Sequence, residues 1–499
     1  MPTTNKSIVS QFFSGTIFIG VARVSSIVLG LVSVMIATRY LSTDAYGAYV
    51  LVLLFSNFLV QFMSFGLGLV IPKYLAGGEE YDDEYETSLI NTAFYFRVAV
   101  VFSTVAVIVI FQPMLAGFVK SPLIADIFKA TPIMFAIISF TNLFQSVLRG
   151  QLKFKSVGVV EFFSELTKLG FLFLFVVVYE FGFWGLVGAK ILGQIVWAIS
   201  VYRAVNFKHK WEFNFQLLKE MLKFGLPLQV QYFFDFIYTR LDTIIIGSLL
   251  GTRGVALYDI ARKIPDSLLQ LYTVFISVYF PISANVYAKE KEEKTSAILN
   301  NSIRLLTFLA LFAGLFVFVF GKDLIVLLFS EEYLPVYWVL VLLMIGVTID
   351  MIEEIMGYLL VAIGEPDKPL YINIIRAIFS VIGNLIILPI LGFMGAALVY
   401  IFGNLVAIPV DNYFLQRKKI SPSFIAIIKQ ALICGLLGGL FWLWNPAGIL
   451  PRLIIVLLYI PGSLLLSVIT VEDISILYTE AKTFVEKIFL RLKKAPQKQ

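Results

Sequence analysis

Of the 499 residues, 59% are hydrophobic, 15% aromatic and only 14% charged, with a formal net charge of +6, a balance far more apolar than that of a soluble globular domain. A single cysteine, Cys434, excludes an intramolecular disulfide and a cysteine metal cluster, and a single histidine, His209, disfavours a histidine-dependent active site. No Gly-rich phosphate loop of the Walker type occurs, which argues against direct use of ATP, and nothing points to nucleic acid as a partner.

A hydrocarbon core asks for roughly 20 apolar residues per helix, and stretches of that length recur along the chain. We read fourteen spans: 12–37, 46–71, 88–111, 123–148, 157–179, 183–204, 224–250, 255–281, 297–320, 334–361, 369–391, 393–415, 424–443 and 451–470. The fold class is therefore all-α and polytopic. The first apolar run passes Leu31 without a small-residue cleavage pattern, too long for a signal sequence, and is expected to be a retained span. Pro132, Pro227, Pro265 and Pro409 fall inside spans and predict kinks that neighbouring helices can satisfy.

Orientation follows from the basic residues of the short loops. With the N-terminus inside, Arg149, Lys153, Lys155, Arg203, Lys208, Lys210, Lys219, Lys223, Lys289, Lys291, Lys294, Arg417, Lys418 and Lys419 share the cytoplasmic side. The opposite loops keep few, among them Arg39, Lys120, Arg253, Lys322 and Arg452. Both termini are then expected in the cytoplasm of a multi-pass cell-membrane protein. The acidic run Glu79–Glu86 reads as a solvated loop. From Ile474 to Lys494 the tail places Ile474, Leu477, Ala481, Phe484, Ile488 and Leu492 at helical spacing beside Lys482, Lys487, Arg491 and Lys493, a pattern for a helix lying on an anionic leaflet.

The chain also repeats itself. At a shift of 209, Leu41, Thr43, Tyr49, Leu59, Gln61 and Pro72 fall on Leu250, Thr252, Tyr258, Leu268, Gln270 and Pro281. At a shift of 210, Gly182, Phe183, Gly185, Ile191 and Gly193 fall on Gly392, Phe393, Gly395, Ile401 and Gly403. Each copy holds six spans, an even number, so the copies enter the membrane in the same sense; parallel repeats of this kind place a transport site between lobes. We divide the chain into two pseudo-symmetric six-helix lobes, 1–205 and 206–420, two additional transmembrane helices, 421–472, and a basic amphipathic tail, 473–499. Two fused copies make a monomer sufficient.

Particular stretches resemble a known family. FGLPL at 224–228, RLDTIIIGSLLG at 240–251, VALYDIARKI at 255–264 and FPISANVYA at 280–288 resemble the second-lobe signature of polysaccharide flippases. TRYLSTDAYGAY at 38–49 and FGLGLVIPKYLA at 65–76 are similar to its first-lobe counterpart, and LIVLLFSEEYLPV at 324–336 and LGFMGAALVYIFGN at 391–404 extend the likeness over nearly the whole chain. The family is the oligosaccharidyl-lipid flippase branch of the multidrug/oligosaccharidyl-lipid/polysaccharide exporter superfamily. The resemblance implies a V-shaped pair of lobes that turns a polyprenyl- or dolichyl-pyrophosphate-linked oligosaccharide to the outer leaflet by alternating access. It implies no cofactor beyond a coupling Na⁺ or H⁺ or the membrane potential. Membrane lipids and glycan polymerase or glycosyltransferase machinery are the expected partners.

Ionisable groups inside spans are expensive and face a cavity or a partner. Arg23, Arg97, Lys168, Arg240, Arg304 and Arg376 form the candidate substrate-binding set, because basic groups from both lobes would make a cationic cavity and guanidinium forks suit phosphate oxygens. Lys190 and Arg262 are further basic groups within spans. The alternative for each is an ion pair with another helix, or, for Arg97 and Arg304, snorkelling to the near interface. Asp235, Asp350 and Asp242 are the candidate ion-coupling residues. Glu161, Glu165 and Lys168 share one helix face as an internal network or cavity lining. Tyr232, Phe233, Phe234, Phe236, Tyr238, Tyr272 and Tyr279 crowd the seventh and eighth spans, where sugars could stack on them; helix packing is their default role. A multidrug/cation antiporter of the same superfamily is the runner-up, and would favour an acidic, arginine-poor cavity. A membrane glycosyltransferase, polymerase or ligase is disfavoured, since the outward loops are short, about 15 residues or fewer, and carry no histidine.

Overall fold

A computed structural model describes residues 24–76, 83–118, 122–205 and 207–470. Among them the chain is helical throughout, without strands. The elements are α1 (Val24–Tyr40), α2 (Thr43–Phe62), α3 (Leu67–Ala76), α4 (Asp83–Phe118), α5 (Pro122–Gly150), α6 (Phe154–Leu172) and α7 (Gly182–Val205). They continue with α8 (Phe215–Leu328), α9 (Tyr337–Ala362), α10 (Asp367–Leu391), α11 (Phe393–Arg417), α12 (Ile425–Trp444), α13 (Ile449–Leu457) and α14 (Tyr459–Leu465).

Helical hydrogen bonding runs on through α8, yet this element cannot be straight. Arg262 Nη1 lies 2.9 Å from Asp242 Oδ2, whereas twenty residues of straight helix would separate them by roughly 30 Å. The reversal is at Gly251, whose φ of +69° suits a residue without Cβ, in the gap 251–254 between the spans expected at 224–250 and 255–281. The end of α8 returns to this same side, because Arg253 lies 3.5 Å from Glu332 just beyond it. We therefore describe three arms, 215–250, 252–290 and 292–328.

Ten described helical stretches are long and apolar enough to cross a membrane, and the sequence-derived spans fall on helix, the first of them from residue 24 onward. The smaller number has physical causes. The first two arms of α8 merge into one stretch, Tyr232–Glu290. The charges on α6, Glu161, Glu165 and Lys168, disqualify it by composition although it packs closely against α7. The described part of the first span, Val24–Tyr40, is too short to count, and the last span, expected to reach residue 470, is split at Leu458 and stops at Leu465. The span expected at 46–71 is broken into α2 and α3, of which α2 still counts as a crossing. The tail from 471, the first span before residue 24 and residues 79–82 of the acidic run lie outside the described residues; residues 83–86 of that run, expected in a solvated loop, instead form the first turn of α4.

Packing follows the sequence halves. One apolar cluster joins α3, α4, α5 and α7 with the start of α8, and another joins the second and third arms with α9, α10 and α11. A central cluster of α2, α5, α7, the second arm and α9 ties the two bundles together, while α12–α14 lean on the third arm through Phe308, Ile433, Val456 and Tyr459. Large apolar side chains such as Phe102, Ile390 and Leu436 point outward and are 75–78% exposed, which suits a lipid-facing rim and not water. Loop contacts gather at the two ends of the bundles. At one face Thr252 donates to Asp44 (2.6 Å) and Arg452 pairs with Asp323 (2.9 Å). At the other, rich in basic loops, Asn91 donates to the Lys208 carbonyl (3.0 Å) and Lys418 pairs with Glu365 (2.5 Å).

Candidate functional site

Between the bundles lies a cavity of about 1150 Å³. Its walls come from α1, α2, α5, α6 and α7 and from the first two arms of α8, with Arg97 reaching in from α4. The α2 wall carries Tyr46, Tyr49, Asn57, Gln61 and Ser64, polar residues three to eight apart on an otherwise apolar helix, which is the stripe spacing of one helical face. Across from it stand Asp235, Thr239 and Arg240 of the first arm and Asp259, Arg262, Lys263 and Asp266 of the second. Glu161, Glu165 and Lys168 of α6, and Lys190 of α7, complete the ring.

Six basic and five acidic side chains line this space, so it is nearly charge-balanced. Most are paired. Lys168 bonds Glu165, with Lys190 Nζ 4.0 Å from the same carboxylate. Arg240 and Arg262 converge on Asp266 at 3.6 and 3.5 Å. Lys263 holds Asp259 at 2.8 Å, and the Tyr46 hydroxyl donates to Asp259 across the bundles at 2.6 Å. Two groups differ. Asp235 faces the cavity with no ion pair among the described residues. Arg97, only 3% exposed, donates to the backbone carbonyls of Met63 (2.9 Å) and Ser64 (3.4 Å) and has no carboxylate partner among the described residues.

The structure thus brings Arg97, Lys168, Arg240 and Asp235 to one cavity. It places the other candidates elsewhere. Asp242 is buried behind the wall, accepting from Tyr258 Oη (2.6 Å) and Arg262 (2.9 Å). Arg376 and Asp350 bond each other within the second bundle, where Arg376 also donates to Glu353 (2.5 Å) and Asn404 (2.6 Å) and lies 3.9 Å from the centre of the Tyr238 ring. Arg304 sits on the third arm, where Gln430 of α12 donates to its carbonyl (3.1 Å). Arg23 lies outside the described residues. Basic groups at corresponding positions of the two halves do not converge: Arg97 and Lys168 line the cavity, Arg304 and Arg376 do not, and the second half's lining cations are instead Arg240, Arg262 and Lys263. Of the aromatic residues, Tyr232 and Phe236 reach the wall, while Tyr272 and Tyr279 pack in the second bundle. Sequence reasoning missed the α2 stripe, although its periodicity was available as a signal. Among the described residues no group of acidic, histidine or cysteine side chains is arranged to hold a metal ion.

Comparison with known proteins agrees with this architecture. The teichuronic acid biosynthesis protein TuaB of Bacillus subtilis is 25% identical over 320 residues, 62% of this chain and 62% of that protein, so under two thirds of its length is matched. The lipopolysaccharide biosynthesis protein WzxC of Escherichia coli is 21% identical over 426 residues, 83% of this chain and 82% of that one. In fold, the chain is similar to the lipid II flippase MurJ in its inward closed conformation, with a TM-score of 0.75 at 16% identity over 90% of this chain and 98% of the other. Residues 36–337 match the family described as polysaccharide biosynthesis protein; that is more than half of the chain, which belongs to this family.

Proposed function

We propose that this protein is a flippase that turns a lipid-linked oligosaccharide, carried on a polyprenyl or dolichyl pyrophosphate, from the cytoplasmic to the outer leaflet by alternating access. The observation that carries the reading is the charged cavity between the bundles. A pyrophosphate taken out of water must exchange its hydration for fixed donors, and only a lined cavity supplies them at membrane depth. Guanidinium and ammonium groups of Arg97, Lys168 and Arg240, with Arg23 near the middle of the expected first span, form the proposed contact set. Arg304 and Arg376 fall outside it. The names of TuaB and WzxC as glycan biosynthesis proteins, and of MurJ as a lipid II flippase, support a glycan-related and lipid-linked cargo.

Asp235, facing the cavity without an ion pair, is the proposed site for a coupling Na⁺ or H⁺; Asp242 and Asp350 already have close partners. The excess of basic residues on one set of loops supports placing that face, and both termini, in the cytoplasm of a cell-membrane protein.

The test is ligand-dependent thermal stabilisation of the detergent-purified protein. A ligand at 100 times its Kd that binds only the folded state stabilises by about 2.7 kcal/mol. Polyprenyl-pyrophosphate oligosaccharide should raise the melting temperature of wild type, and less so that of Lys168→Ala/Arg240→Ala. Stabilisation by lipophilic cations alone would replace this reading with a multidrug antiporter.

A further inference from the structure

We infer that Arg97 is the latch of the gate on the basic-loop side of the cavity, an inference that rests on the transport reading above. The gate is the break between α2 and α3. Helical bonding stops at Met63–Gly66, and two successive residues, Phe65 (φ 51°) and Gly66 (φ 75°), take left-handed conformations. For Phe65 that conformation is strained. A helix end frees backbone carbonyls and N–H groups, and inside a membrane each must find a partner.

Two side chains supply those partners, one from each bundle. Arg97 of α4 donates to the carbonyls of Met63 and Ser64 from within the same bundle. From the first arm of α8, Gln229 Oε1 accepts from the Gly66 N–H (3.0 Å) and the Ser64 hydroxyl (2.7 Å), while its Nε2 donates to the Gln61 carbonyl (2.7 Å). Gly66 also meets the Gly225 backbone so closely that no Cβ fits between them. The break is thus where the two bundles touch on this side, and Arg97 holds it in the shape that Gln229 grips.

Arg97 is also on the cavity wall, with Gln61 and Ser64. It is the one lining cation without an ion pair among the described residues, and its buried Nε has no hydrogen-bond partner there. The group best placed to bind an arriving anion is therefore the same group that keeps the gate shut. An anionic headgroup that drew the guanidinium away would free the Met63 and Ser64 carbonyls and loosen the break. Arg97 acts here as a positioning residue.

The test is thiol crosslinking in a Cys434→Ala background. Phe62→Cys with Phe233→Cys reports this gate, their native rings being 5.9 Å apart across it. Asp44→Cys with Thr252→Cys reports the opposite face. Arg97→Ala should slow crosslinking of the first pair by about tenfold, the equivalent of one charge-assisted hydrogen bond, and leave the second pair unchanged or faster. Arg97→Lys should fall between. A misfolded variant would lose both pairs, and purification by size exclusion would reveal it; the lysine variant then carries the test. Equal rates at the first pair in wild type and in both variants overturn the latch. Inorganic pyrophosphate, added as the probe, should slow the first pair in wild type and not in Arg97→Ala. If Arg97→Ala opens the gate while pyrophosphate does nothing in wild type, the latch stands and the pyrophosphate reading falls.

Discussion

Replacing Arg376 by methionine would test whether the second bundle is held by its buried charges. The guanidinium contacts Asp350 and Glu353, whose side chains are only 6% and 5% exposed, and it donates to Asn404 while stacking over Tyr238. Removing it leaves two carboxylates enclosed among Tyr238, Tyr400 and α9. Breaking one buried pair from one side costs about 3–5 kcal/mol, most of it the penalty of the stranded charge. The lost ring contact adds up to about 2 kcal/mol, though terms sharing one side chain do not simply add. From these terms we expect Arg376→Met to lose about 4 kcal/mol. Arg376→Met/Asp350→Asn/Glu353→Gln, which strands no charge, should recover at least half of it. Reversible unfolding in mixed micelles, followed by tryptophan fluorescence, measures both. A single variant within about 1 kcal/mol of wild type, or a triple variant less stable than the single one, would refute the reasoning.

Three further outcomes follow from the same geometry. Gly47 abuts the Thr252 backbone on one face and Gly66 the Gly225 backbone on the other, with no room for a Cβ at either; Gly47→Ala should raise labelling of cavity cysteines from its own face and Gly66→Ala from the basic-loop face, and the same response in both would contradict two opposed gates. Asp411 is fully buried, and neither carboxyl oxygen has a hydrogen-bond partner among the described residues, so Asp411→Leu should be neutral or stabilising by about 1–2 kcal/mol, against a loss if the carboxyl held an essential contact; the same micelle unfolding assay reads it. At the basic-loop face, the hydrogen bond from Lys418 holds the Glu365 carboxyl below the usual glutamate range, and the same bond raises Lys418. A lowered carboxyl contributes while ionised and stops as pH falls through its folded value; a raised lysine stops as pH rises through its own. The clasp joining α9–α10 to the end of α11 should therefore hold from about pH 5 upward through neutrality, with amide protection factors at Asp367, Lys368 and Leu370, corrected for intrinsic exchange, falling only in acid, and Glu365→Gln should abolish that pH dependence.

The membrane class and the order of the helices were legible because lipid imposes one strong rule, a sustained apolar run per crossing. The turn at Gly251 was legible from its flanking glycines. The break at Met63–Gly66 was not, because Phe65 and Met63 are as apolar as their neighbours and only Arg97 and Gln229, far away in sequence, stabilise it. The site was half legible for a related reason. A charge inside a span announces that it needs a partner, but Asp242 and Asp235, seven residues apart on one arm, read alike. Only the packing of Tyr258 and Arg262 onto the former, and of nothing comparable onto the latter, separates them.

The repeat explains why the same positions ended up in different environments. Lys168 and Arg376 correspond within one residue of the common shift, as do Lys190 with Tyr400 and Gln194 with Asn404. In the second bundle Arg376 is neutralised by Asp350 and Glu353 of α9, whose counterparts at a shift of 209 are Thr141 and Phe144 of α5. With no acid at these two α5 positions to enclose it, the first bundle turns its cluster of Glu165, Lys168 and Lys190 toward the cavity. A closed ion cluster resists rearrangement, since separating it strands charge in lipid, whereas groups facing a cavity can exchange partners with an anion that enters. On the proposed transport reading, the second bundle is expected to move as a rigid body. The first bundle and the two leading arms of α8 carry the groups that respond to what is bound.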